Sequence, residues 1–245
     1  MSLLNDVSIA VTPNGYKAEK LYAVIPSSGA ADMDVTRATD ATRINERGLI
    51  ESVLSNVPRI DYTGGGCPHI LAEPQRTNLV TYSSNFSQWI KDGDSSITDN
   101  AITSPEGTSN AAKLIAGSVS SRQAIKINVT QTGNICLSVF AKASEYDVIQ
   151  LTDAFNGTYF VNFNLANGTI GSSTGITGSI ENYGNGWYRC KGVYTSSSLI
   201  NSYRISIAQN STDGRLLNFA GNGVNGLYIW GAQLQETKTN SQEII

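Results

Sequence analysis

The stretch Ile135-Cys136-Leu137-Ser138-Val139-Phe140-Ala141-Lys142 decides the fold. Ile135, Leu137, Val139 and Ala141 alternate with Cys136, Ser138, Phe140 and Lys142. A period of two puts the first set on one face of a strand. A nearly apolar strand belongs in the middle of its sheet. The same alternation continues on either side. Ile125, Ile127 and Val129 alternate with Lys126, Asn128 and Thr130, and Tyr159, Val161 and Phe163 with Phe160, Asn162 and Asn164. The runs from Trp187 to Tyr194, Tyr203 to Ile207 and Leu227 to Leu234 extend the pattern. Asn156-Gly157, Asn167-Gly168, Asn185-Gly186 and Asp213-Gly214 supply residues that tolerate positive φ between strands. No helix-period segment of useful length intervenes. The expectation is an all-β chain in which residues 81–245 form an antiparallel β-sandwich of jelly-roll type.

Residues 1–80 read differently. Short apolar pieces such as Leu21-Tyr22-Ala23-Val24-Ile25 and Gly48-Leu49-Ile50 are separated by polar punctuation. They carry too little apolar mass for a core of their own. The reading is an extended N-terminal arm, a docking region with short strands that folds against another surface. A local helix is open over Leu49 to Leu54, with Pro58 ending it.

Composition excludes several classes of function. Charged residues make up 15% of the chain, against roughly 25% in ordinary soluble domains. Net charge is −3 and the pI is near 5.2, which leaves no basic footprint for nucleic acid. No apolar run approaches the roughly 18–20 residues of a membrane-spanning helix, so membrane insertion is not expected. Met1-Ser2-Leu3-Leu4-Asn5-Asp6 lacks the basic and apolar regions of a secretory signal. Cys67, Cys136 and Cys190 are odd in number and widely spaced, and His69 is the only histidine. Free thiols, no metal site and no cofactor follow.

Catalysis is not expected either. Glu145, Asp147, Asp153 and Glu181 fall mostly beside turn residues, where carboxylates cap loops, rather than as a pair facing one cleft. His69 has no nucleophile-elbow sequence near it. Sugar binding is the stronger chemistry, because aromatic faces stack on pyranose rings while amides and guanidinium groups bond the hydroxyls. Tyr146, Tyr159, Trp187, Tyr194 and Tyr203, with Asn162, Arg189 and Arg204, are expected to assemble such a surface on one sheet. On that reading, Trp187→Ala or Tyr159→Ala weakens binding at nearly unchanged melting temperature. Trp230 reads as a core filler, and Trp89, beside Phe86, as a plug at one end of the sandwich.

Three segments carry a resemblance. They are Asp34 to Glu51, Asn56-Val57-Pro58-Arg59-Ile60-Asp61-Tyr62, and Cys67-Pro68 through Glu73-Pro74-Gln75-Arg76-Thr77-Asn78-Leu79. Over about residues 30–90 the chain resembles virion structural proteins of tailed bacteriophages, of tail-fibre, head-fibre or adhesin-like kind. In these a segment of this type leads into a jelly roll similar to carbohydrate-binding modules. Leu137 to Ala143, Gly184 to Cys190 and Gly226 to Glu236 look like that module's central strand, hairpin and closing strand. The resemblance implies a fibre, appendage or decoration subunit made in the bacterial cytoplasm and located in the virion. Its partners would be other virion proteins and copies of itself, a trimer being favoured. Glu73, Arg76 and Asn78 would then anchor an architectural junction. A host-glycan adhesin is the alternative and a polysaccharide depolymerase the more distant one. The acidic pair of a family-type calcium site is missing before Glu236 in the closing strand.

Overall fold

The structure is a computed structural model that describes residues 11–17, 20–23, 33–65, 67–73, 76–153, 159–200 and 202–236. The Asn156-Gly157 turn and the Pro74-Gln75 step lie outside these residues. The chain divides into two compact units, one reaching to Pro74 and the other starting at Gln75.

The first unit is built from short antiparallel pairs. β1 (Val11–Lys17), β2 (Lys20–Ala23) and β3 (Met33–Asp34) form one small sheet. β4 (Ala41–Ile44) pairs with β5 (Ile50–Val53), and β6 (Ile60–Asp61) with β7 (His69–Ile70). The helix left open over Leu49 to Leu54 is therefore a strand. Asn45 turns the chain: its Oδ1 accepts the Arg47 and Leu49 amides, each at 3.0 Å, and Gly48 takes φ 75°. Ile44 then lies opposite Ile50, and the hairpin ladder replaces helical bonding. Polar groups supply much of the cohesion. Asp61 is fully buried, and its carboxylate accepts the Ile44 amide at 2.7 Å and the Thr63 amide at 2.8 Å. Arg43 pairs with Glu51, and Arg59 donates to the Thr42 carbonyl at 2.7 Å and to Glu73 at 2.6 Å.

The second unit is a β-sandwich, as the alternation predicts. One sheet holds β9 (Ser96–Ile102), β10 (Ala111–Ile115), β12 (Gln131–Lys142), β16 (Thr177–Asn182), β17 (Trp187–Ile200) and β19 (Gly226–Glu236). Its order is β16-β17-β12-β19-β10-β9. The other holds β8 (Ile90–Gly93), β11 (Gln123–Ile127), β13 (Val148–Asp153), β14 (Phe160–Asn164), β15 (Thr169–Thr174) and β18 (Tyr203–Ala208), in the order β15-β14-β13-β18-β11-β8. The chain changes sheet between β8 and β9, at each step from β10 to β13, between β15 and β16, and on both sides of β18, which gives jelly-roll-like wrapping.

Ile135, Leu137, Val139 and Ala141 of β12 are fully buried in one core with Ile149, Leu151, Val161, Phe163 and Ile205 of the facing sheet. In β19 the inward set changes parity: Leu227 and Ile229 enter the core, then Ala232 and Leu234. A bulge at Gly231, φ 61°, makes the change, and a Cβ there would stand 3.3 Å from the Phe140 ring. Trp230 is thereby turned onto the face opposite the core, with its ring centroid 5.4 Å from that of Phe140. Trp89 does enter the core, 5.3 Å from Phe86 and 5.5 Å from Tyr203 between ring centroids.

β10 pairs with β19 only as far as Ile229. Beyond it, residues 78–83 run along the exposed edge. Leu79 N–H donates to the Leu234 carbonyl at 2.7 Å, and Ala232 N–H to the Ser83 carbonyl at 2.8 Å. This covers ladder groups that would otherwise template strand addition.

Candidate functional site

The segment that seals β19 also builds a cleft. Thr81, Tyr82, Ser83, Ser84 and Asn85 face Asp99, Asn100 and Asn110 across a space of about 470 Å³. The loop is held from below: buried Trp89 donates its indole N–H to the Tyr82 carbonyl at 2.9 Å, and Ser83 Oγ donates to the Ala232 carbonyl at 2.6 Å. Those anchors leave the Tyr82 ring 44% exposed on a fixed backbone. Across the cleft, Asn110 Nδ2 donates to Glu106 while its buried Oδ1 has no hydrogen-bond partner. An exposed aromatic face ringed by hydroxyls, carboxamides and one carboxylate suits a hydroxyl-rich ligand.

The residues expected from the sequence to form one sugar-binding surface are not brought together. Trp187 and Arg189 lie on β17 and Tyr203 and Arg204 on β18, in different sheets. Tyr203 points inward and is wholly buried, its hydroxyl donating to the Ser138 carbonyl at 3.2 Å. Burial pushes its pKa well above the ordinary phenol value. Trp187 is 3% exposed and donates to the Thr103 carbonyl at 3.2 Å. Arg189 is buried over the Phe140 ring and donates to Ser138 Oγ at 3.0 Å and Gln233 Oε1 at 2.6 Å. Tyr146 packs against Phe219 and Tyr159 edge-on against Tyr194. Arg204 faces away from the core beside Asp92, with Nε 2.6 Å from Oδ2. Asn162 is buried under the loop at 211–213, donating to the Ser211 and Asp213 carbonyls.

Of the junction residues, Glu73 pairs with Arg59 inside the first unit. Asn78 binds β19 through both ends of its carboxamide: Nδ2 donates to the Ala232 carbonyl at 3.3 Å and Oδ1 accepts the Leu234 amide at 3.1 Å. Arg76 is half-buried. The carboxylates weighed for catalysis are dispersed: Glu145 binds Lys113 and the Gly226 amide, Glu181 pairs with Lys191, and Asp153 is fully buried. No group of three or more His, Cys, Asp or Glu side chains suited to a metal occurs among the described residues. No helix among them is long and apolar enough to cross a membrane.

Sequence reasoning missed Tyr82, Asn85, Asp99, Asn100 and Asn110: Tyr82, Asn85 and Asn110 sit in loops, and Asp99 and Asn100 lie within β9, where a bulge with Asn100 at φ 54° breaks the period. The run Tyr82-Ser83-Ser84-Asn85 was the available signal, an aromatic residue leading a polar loop. The fold and cleft together define a jelly-roll-like β-sandwich module. No protein-family model matches the chain, and a search of curated proteins finds no match.

Proposed function

We propose that this chain is a bacteriophage virion structural protein, a fibre, appendage or decoration subunit that docks through its N-terminal region and displays the sandwich. One observation carries the reading. The residues of the phage-like segments are those that knit the first unit: Arg37 donates to the Val53 carbonyl, Arg43 pairs with Glu51, Arg59 with Glu73, and Asp61 accepts the Ile44 amide. The segments thus specify a small polar-stitched body rather than a reactive loop, as a docking element requires. Its partners are other virion proteins and copies of itself, a trimer being the expected assembly. The test is imaging of phage particles carrying a gold-labelled copy, with light scattering on the purified full chain. Label at a fixed position on the particle and a trimeric mass are expected. Unlabelled particles together with a monomer would overturn the proposal.

The Tyr82 cleft favours a second, compatible role as a host-glycan-binding module. A glycan array followed by calorimetry tests it. Binding that Tyr82→Ala abolishes is expected, and silence at millimolar sugar removes this role.

A further inference from the structure

The outer face of the β8-β11-β18-β13 sheet gathers cations around too few carboxylates. Ile125 and Ile127, and Ile205 and Ile207, enter the core, so Lys126 and Arg204 share the opposite face. They are direct partners in the ladder. Thr152 lies on Arg204's other side, also paired with it. Arg204 reaches Asp92, whose other oxygen is 3.3 Å from Arg122 Nη1. Arg215 comes from the following loop, donating to the Asp153 carbonyl at 2.6 Å. Burial and then the charges of Arg204 and Arg122 lower its pKa, with Asp153 and Asp92 opposing. Four cationic side chains therefore gather around one carboxylate, Asp92, because fully buried Asp153 pairs with inward-facing Tyr203 and turns toward Tyr194. Arg122 is 48% exposed, so the cluster is open to solvent on that side. Thr152 Oγ1 is buried and has no hydrogen-bond partner.

We propose that this face binds the carboxylate groups of an acidic sugar polymer, independently of any sugar in the Tyr82 cleft. Guanidinium forks match planar carboxylates and make charge-assisted hydrogen bonds. Thr152 Oγ1 adds a hydroxyl partner of the kind a sugar ring uses. A nucleic acid is disfavoured, because none of the side chains gathered here offers an exposed aromatic ring on which bases could stack.

The test is titration of the full chain with trigalacturonate, with a neutral trisaccharide, a single-stranded oligonucleotide and a glutamate hexapeptide as the other arms. Trigalacturonate is expected to bind with an affinity that falls as salt is raised. The double substitution Arg122→Gln, Lys126→Gln should weaken it by about fivefold or more, each lost cation removing a charge-assisted contact. Tyr82→Ala should leave it unchanged. Arg122 is exposed and Lys126 partly so, and Arg122→Gln alone serves if the double variant melts early. No binding at about 10 mM, an affinity too weak to use, would overturn the proposal. So would unchanged affinity in both variants, or equal affinity for the oligonucleotide or the peptide.

Discussion

Asn78 and Leu234, 156 residues apart in the chain, are joined by a 3.1 Å hydrogen bond from the Leu234 amide to Asn78 Oδ1. The same oxygen accepts the Val80 amide at 3.0 Å, and the neighbouring Leu79 N–H returns a bond to the Leu234 carbonyl. One carboxamide thus fixes the course of the sealing segment and caps the open edge of β19. Asn78→Ala should lower the unfolding free energy by about 1–3 kcal/mol, the range for stranding donors whose acceptor is removed. Asn78→Asp keeps the acceptor and should cost less. Urea denaturation measures both, and equal stability of all three proteins would show that the edge is held by other contacts.

Trp187 and Tyr82 should respond in opposite ways to truncation. Trp187 is 3% exposed and bonded to Thr103, so Trp187→Ala should cost about 3–5 kcal/mol. This replaces the expectation that its loss leaves melting unchanged. Tyr82→Ala removes an exposed ring and should shift stability by no more than about 0.5 kcal/mol. Thermal melts of the two variants decide the matter, and a Trp187→Ala protein as stable as the parent would contradict the assigned packing.

Glu145 should set part of the acid limb of stability. The Lys113 ammonium first and the Gly226 amide second hold its carboxyl at about 2. An unfolded glutamate titrates near ~4.3. A carboxyl with a depressed folded pKa stabilises fully above the unfolded value, and that contribution disappears as pH falls through the folded one. The window therefore runs from about pH 4 down to about pH 2. The side chain is 42% exposed, so solvent screening keeps the effect small. Melting temperatures of parent and Glu145→Gln should converge as the pH is lowered through this window, and a constant gap across it would count against the pairing.

The three thiols should separate cleanly. Cys67 is exposed, Cys136 and Cys190 are buried, and burial pushes the Cys190 thiol above the usual range. A thiol-specific reagent should label one cysteine in the native protein and all three in denaturant. Rapid native labelling of Cys190 would mean that the core opens readily.

The sandwich was legible because alternation in β12, β14, β18 and β19 reports directly which side chains face inward. Alternation does not report which sheet a strand joins. Arg189 and Arg204 both read as outward-facing residues of neighbouring strands, yet the chain passes from one sheet to the other between β17 and β18, and the two guanidinium groups end on different sheets. The bulge at Gly231 hid the outward turn of Trp230 for a related reason, since one inserted residue reverses parity. In the first unit, the turn chemistry of Asn45 outweighed the helical spacing of Leu49 to Leu54. The cleft was invisible because its walls are loops and a bulged stretch of β9, and their juxtaposition depends on contacts that alternation does not report.

The place of β19 has a consequence for biosynthesis. This strand is the last of its sheet to leave the ribosome, yet it lies between β12 and β10 rather than at a margin. Until it is made, β12 and β10 have no partner on that side, and the growing chain carries an unfilled slot through its first sheet. Pairing across such long loops is slow, and a nascent or truncated chain in that state is prone to intermolecular strand exchange. A chain stopped short of Gly226 should therefore aggregate rather than yield a smaller sandwich, which makes completion of translation the step that licenses assembly.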